Sequence, residues 1–233
     1  FAVGLQTSGV SAIDSDAQTV TATATASDGQ SMTLAAGGTL NVALGTDPVS
    51  ALVVAGTTVE VGRFTMQAKY EGLDFNYFGF QLASPGGGVV GNQDELTTLY
   101  LYEEGGSEAL GSVAMTGANA TITPADMTMD VNDETTYVVK AVFSSLGDAS
   151  PASSGAGLRV ALTNIDVDGT STGSSSVTVN GLGSNFNTFS VFKSVPTITV
   201  YDSDGSDVIT GNDTFSLMKF SVTADGAGPV GLY

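Results

Sequence analysis

Thr19-Val-Thr-Ala-Thr-Ala-Thr-Ala-Ser27 alternates hydroxyl-bearing and small apolar side chains without a break. A period of two sends alternate residues to opposite faces of an extended chain, whereas a helix would scatter them around its circumference. The segment therefore reads as a strand with a thin inner face, and the pattern recurs. Alternating runs follow at Thr39–Leu44, Thr58–Ala68, Asp74–Leu82, Thr97–Tyr102, Ala118–Ile122, Thr135–Phe143, Leu158–Ile165, Ser176–Val179, Phe186–Phe192, Thr197–Tyr201 and Thr214–Thr223. Between them lie Asp28-Gly29, Gly37-Gly38, Pro85-Gly86-Gly87-Gly88, Gly105-Gly106, Asp168-Gly169 and Asp204-Gly205, residues that tolerate positive φ and so make tight turns. Roughly a dozen short strands with such punctuation predict an all-β fold, an immunoglobulin-like or jelly-roll β-sandwich with Greek-key or jelly-roll connections.

Composition agrees. The 233 residues are 42% hydrophobic, enough for a packed core, and only 13% charged, too few for long amphipathic helices. Six basic residues against 24 acidic ones leave a formal charge of −18, which repels a phosphate backbone and excludes nucleic acid as a partner. Seventeen of the acids are Asp, a residue suited to turns and to hard cations. With no cysteine, disulfide frameworks and thiolate metal sites are excluded. No apolar run approaches the ~20 residues of a membrane-spanning helix. The chain opens at Phe1 without an initiator Met or a signal peptide, as a processed or excerpted chain would.

A long internal repeat emerges when Val54-Ala-Gly-Thr-Thr-Val-Glu-Val-Gly-Arg-Phe-Thr-Met-Gln-Ala68 is laid against Ile209-Thr-Gly-Asn-Asp-Thr-Phe-Ser-Leu-Met-Lys-Phe-Ser-Val-Thr-Ala224 with one inserted residue. Each runs from a Gly turn through a basic residue and Phe (Arg63-Phe64, Lys219-Phe220) into an alternating strand, at a spacing of about 155 residues. The expected organisation is a β-sandwich domain over 1–195 and, over 196–233, the first strands of a second, incomplete repeat. Those strands cannot bury an inner face without further strands, so contact with another domain or chain is expected of them.

Ser194-Val-Pro-Thr-Ile-Thr-Val200 with Leu217-Met-Lys-Phe-Ser-Val-Thr-Ala-Asp-Gly-Ala-Gly-Pro-Val-Gly-Leu-Tyr233 resembles the domain junction of large surface-layer-like proteins of candidate-phyla (Patescibacteria) bacteria, and Val53-Val-Ala-Gly-Thr-Thr-Val-Glu-Val-Gly-Arg-Phe64 resembles the matching strand of their preceding domain. The resemblance covers about a quarter of the chain. It implies a secreted chain of tandem β-sandwich domains with a structural role at the cell surface, and it brings no catalytic motif. The acidic loop Tyr201–Asp213 has no counterpart in it.

Enzymatic chemistry is not expected. The chain has no His and no Cys, which removes the usual general bases and nucleophilic triads. A carboxylate pair could hydrolyse glycosides, but with no Trp the sugar platform would fall to Tyr70, Tyr77, Tyr100 or Tyr102. Asp202-Ser-Asp-Gly-Ser-Asp207 is the foremost cation candidate: Asp202, Asp204 and Asp207 around a central Gly could turn their oxygens toward one calcium, with Asp213 as a further ligand. It resembles the opening of an EF-hand loop without the later bidentate Glu. Asp166 and Asp168, in Asp166-Val-Asp-Gly169, are a second calcium candidate, and Asp14-Ser-Asp16 a third; all three also read as plain Asp-Gly or Asx turns.

Asn119-Ala-Thr121 and Asn212-Asp-Thr214 are sequons, and the Ser/Thr-rich stretch Thr170–Thr178 could carry O-linked sugars. Lys69, Lys140, Lys193 and Lys219 lie on or beside expected strands, where isopeptide crosslinks could form. Phe75-Asn-Tyr-Phe-Gly-Phe80 sets Tyr77 beside Phe78, which suits core packing or a strand covered on both faces. Phe1, Val3 and Leu5 alternate as a donated strand, or the last strand of a preceding repeat, would. Together these features predict an extracellular, self-associating structural subunit of a surface layer or filament, stiffened by calcium; the alternative is the stalk or ligand-binding domain of a cell-surface adhesin that recognises glycan or a host surface.

Overall fold

The computed structural model describes residues 12–20, 37–86, 94–147, 152–173, 177–201 and 218–224. By compactness the chain divides into Phe1–Ala36 and Gly37–Tyr233. In the first unit, β1 (Ala12–Ile13) and β2 (Thr19–Val20) form a short antiparallel pair. Asp14 closes its turn by accepting hydrogen bonds at Oδ1 from the backbone N–H of Asp16 (3.0 Å) and Gln18 (2.9 Å). The remainder of the alternating stretch Thr19–Ser27 lies outside the described residues.

The second unit is all-β. Its strands are β3 (Thr39–Leu44), β4 (Ala51–Val54), β5 (Thr58–Lys69), β6 (Leu73–Ala83), β7 (Leu96–Glu103), β8 (Ala109–Ala114), β9 (Asn119–Ile122), β10 (Thr128–Met129), β11 (Glu134–Phe143), β12 (Gly157–Gly169), β13 (Thr178–Asn180), β14 (Phe189–Phe192), β15 (Thr197–Tyr201) and β16 (Lys219–Thr223). Among the described residues, one six-stranded sheet runs β13-β3-β5-β11-β7-β8. The other runs β10-β6-β12-β14-β4, with β9 also on β6. Most neighbours are antiparallel, but β13 runs parallel to β3 and β14 parallel to β4. The two sheets form a β-sandwich, as the sequence predicts.

Its core joins the inward residues of both sheets: Leu40, Phe64, Met66, Val139 and Leu99 from one, Phe78, Phe80, Leu162, Phe189 and Val191 from the other. Phe64 is the hub, with ring centroids 5.6 Å from Tyr137, 6.2 Å from Phe78 and 6.5 Å from Phe186. The last contact needs Gly62, because a Cβ there would sit 2.2 Å from Cγ of Phe186. Burial pushes the Tyr137 phenol up to about 12, helped by the negative charge of Glu103.

Two departures from simple alternation and one displaced turn have local causes. Val61 is an extra residue on β5, since Val139 pairs with Gly62 and Lys140 with Glu60. This bulge leaves Glu60 and Arg63 on the outer face, where the guanidinium pairs with Glu60 and Glu104. Asn76 is likewise extra on β6, because Asp166 pairs with Tyr77 and Val167 with Phe75. Phe75 and Phe78 both reach the core, and Tyr77 turns outward to accept a hydrogen bond from Nδ2 of Asn164 (3.0 Å). The expected turn at Asp168-Gly169 is corrected: both residues belong to β12, held there by pairing with Asp74 and Leu73, and the chain turns at Thr170 instead.

Candidate functional site

β15 and β16 pair only with each other among the described residues, and belong to neither six-stranded sheet. Their register sets Ile198 opposite Val222 and Val200 opposite Phe220. Directly opposed and alternate residues share a face. One face of the hairpin therefore carries Ile198, Val200, Met218, Phe220 and Val222, and the other Thr197, Thr199, Tyr201, Lys219, Ser221 and Thr223. Lys219 lies over the Tyr201 ring, 5.7 Å from its centroid. The apolar face is open: Ile198 is 61% exposed, Val200 62% and Phe220 51%.

The register itself identifies what kind of hairpin this is. In the sandwich, β3 and β5 pair Val42 with Met66, Ala43 with Thr65 and Leu44 with Phe64. Phe220 follows Phe64 by 156 residues (220 less 64), and that one shift carries every one of these pairs onto a β15–β16 pair: Ile198 with Val222, Thr199 with Ser221, Val200 with Phe220. Arg63 maps to Lys219 and Gly62 to Met218. The ladder of the β-sandwich's β3 and β5 is thus present twice, once in the core and once with Ile198, Val200 and Phe220 exposed and Val222 half-buried.

Of the predicted cation ligands, Asp202, Asp204, Asp207 and Asp213 lie outside the described residues. Asp166 and Asp168 sit on β12 rather than in a loop, on its outer side, and Asp168 pairs across the sheet with Asp74. One carboxylate oxygen of Asp168, Oδ1, is buried and meets no hydrogen-bond donor. Among the described residues no three acidic side chains converge closely enough to hold an ion. Asp14 is occupied with its own turn.

Glu71, which the sequence did not single out, is the best-bound carboxylate described. It accepts the backbone N–H of Ser171 and Thr172 (3.0 Å each), the hydroxyl of Thr172 and the backbone N–H of Gly38. These bonds, the Thr172 hydroxyl foremost, hold its pKa below the usual carboxylate range. Gly169 is required beside it, since a Cβ there would lie 2.4 Å from Oε1. The carboxylate pins the β5–β6 turn to the segments before β3 and after β12.

The tyrosines disperse. Tyr70 is exposed at φ 74°, Tyr77 lies on the outer side of β6, and Tyr100 and Tyr102 stand together on β7 with centroids 6.2 Å apart. Nζ of Lys140 lies 4.4 Å from the Tyr102 centroid. Lys69, Lys140, Lys193 and Lys219 are all partly or wholly exposed, so none is a buried amine of the kind an isopeptide crosslink requires. Asn119 is exposed on β9, and Asn212 lies outside the described residues. A shallow groove of about 290 Å³ lies along β3, β5 and β11, lined by Asn41, Val42, Ala43, Thr65, Gln67 and Glu134.

No known protein-family model matches the chain, and no curated protein matches it. Among solved structures it is similar to a chain of a type I cohesin–dockerin complex from Clostridium thermocellum (8% identity, 70% of this chain and 99% of that one, TM-score 0.32). It is also similar to the major pilin subunit of Bacillus cereus (11% identity, 97% and 62%, TM-score 0.30) and to a family 123 glycoside hydrolase from Clostridium perfringens (7% identity, 66% and 27%, TM-score 0.31). At these scores nothing is carried from them to this chain. Among the described residues no helix is long and apolar enough to cross a membrane.

Proposed function

We propose that this chain is a structural, non-enzymatic stretch of an extracellular surface protein built from tandem β-sandwich modules that assemble into a layer or filament. The observation that carries the reading is the duplicated ladder: β15 and β16 repeat the register of β3 and β5 at a constant shift of 156 residues, with the core-forming face of the copy uncovered. A shift of that size makes Gly37–Phe192 one full period, with β15 opening the next. The absence of His and Cys supports a non-catalytic role.

Calcium belongs to the proposal as a stiffener. Asp74 and Asp168 oppose each other across β6 and β12, an arrangement of like charges that a cation would relieve, and the Asp202–Asp207 segment adds carboxylates immediately after β15. The test is electron microscopy with light scattering in millimolar calcium and then in excess chelator. Ordered sheets or fibres that dissolve on chelation are expected; a monomer in both conditions overturns the reading. An adhesin reading draws on the Tyr100–Tyr102 pair under Lys140, an aromatic patch on which a sugar ring would stack.

A further inference from the structure

We infer that Val49 and Leu52, on and beside the edge strand β4, are the seat on which the module opened by β15 rests. This deepens the tandem-module reading, on which it depends, by naming the surface across which successive modules join. Among the described residues of the sandwich, large apolar side chains stand exposed at Val49, Leu52, Tyr70 and Val131. The sandwich makes no use of the first two: Val49 is 68% exposed and Leu52 58%, while Val53 makes the core contact of β4. Pro48 to Val59 contains no charged residue on a chain of net charge −18, so nothing in this stretch repels a neighbour. β4 is the outermost strand of its sheet among the described residues, and it lacks the charge that commonly guards an open edge.

The path of the chain names the occupant. β14 runs parallel to β4, with Leu52 opposite Ser190 and Val54 opposite Phe192, so the chain leaves the sandwich beside this edge. Only Lys193–Pro196 separate Phe192 from β15, a tether that spans at most ~18 Å when fully extended. Pro196 fixes its own φ and restricts Val195, which stiffens the tether further. The following module is therefore kept at this edge at high effective concentration, where a small contact suffices. Val131 belongs to the other end of the sandwich: Asn132 N–H donates to the carbonyl of Ala68 (3.0 Å), near the end of β5, whereas Thr57 N–H, at its start, donates to that of Val54 (3.3 Å). The repeat shows that the apolar edge is no requirement of the fold. At the shift of 156 residues Val49 falls on Gly205, Ala51 on Asp207 and Leu52 on the smaller Val208, so the patch belongs to this joint.

The test uses the native chain with both modules whole and reads trypsin cleavage after Lys193, the exposed lysine of the tether. Cleavage is expected to be slow in the unmodified chain and at least ~10-fold faster in Leu52→Asp, which puts a carboxylate into the contact. Val131→Asp, at the far end, is expected to leave the rate unchanged. Neither substitution should move the melting temperature of the sandwich, because both side chains are exposed. Small-angle scattering is expected to show a single arrangement of the two modules, broadened by Leu52→Asp. An unchanged rate in Leu52→Asp, equal acceleration by Val131→Asp, or modules that reorient freely in the unmodified chain overturn the inference. A fixed joint in a chain that never forms arrays supports it and sinks the assembly reading; arrays built from freely swinging modules overturn it and spare that reading.

Discussion

Two antiparallel strand pairs of the same register, β3–β5 and β15–β16, share their ladder and differ in what lies across it. At the central position Phe64 is wholly buried and Phe220 is 51% exposed. Gly62 has surrendered its side chain to make room for Phe186, whereas the matching Met218 stands in the open. Backbone pairing is therefore set by the two strands alone, while the stability of the pair is set by what lies across the face. The comparison teaches that a strand pair is a template with an unmet demand until a second layer arrives.

The sharpest way to break this comparison is to truncate both phenylalanines. Phe64→Ala is expected to cost about 3–5 kcal/mol of unfolding free energy in a denaturant titration, by transfer loss plus the cavity left among three aromatic rings. Phe220→Ala is expected to change the same transition by no more than about 0.5 kcal/mol. Equal losses would mean that the hairpin is covered by the sandwich itself. Next in size, Gly62→Ala should destabilise by about 1–3 kcal/mol through its collision with the Phe186 ring; Met218→Ala, at the matching position, should leave the sandwich transition where it was.

Smaller effects come from titration, and only the sandwich supplies them. Tyr137 has its folded pKa raised from 10.0 to about 12, so its contribution is complete below pH 10 and is lost as pH climbs toward 12. Unfolding experiments should find that alkaline loss flattened in Tyr137→Phe. Glu71 has a folded pKa below its unfolded one, so its contribution is present above the ordinary carboxylate range and disappears as pH falls through the folded value. Glu71→Gln should lower the melting temperature at neutral pH and leave a shallower acid dependence; an unchanged acid slope would show that the nest around Glu71 does not select the carboxylate.

Alternation made most of the sandwich legible. Thr39–Leu44 was read to the residue, and β5, β6, β7 and β11 to within one residue at each end, because buried antiparallel strands impose period two on their side chains. β4 escaped because Ala51-Leu-Val-Val54 is a short apolar run without alternation. β8 escaped because Gly111 interrupts it, and β10 because two residues carry no period. The bulges at Val61 and Asn76 were hidden for a related reason: an extra residue is defined by the strand opposite. Asp168-Gly169 looked like a turn because residue preference is local, while its place in β12 comes from pairing with β6.

By itself the sequence determined the class of fold, the duplicated segment and the chemistry that cannot occur, since these follow from period, repetition and composition. Tertiary structure alone decided that Glu71 is a pin rather than a surface acid. It also decided that Phe64 is a hub while Phe220 is an open face, and that the two ladders share one register. Burial and register are relations between segments distant in the chain, and no single stretch of residues contains them.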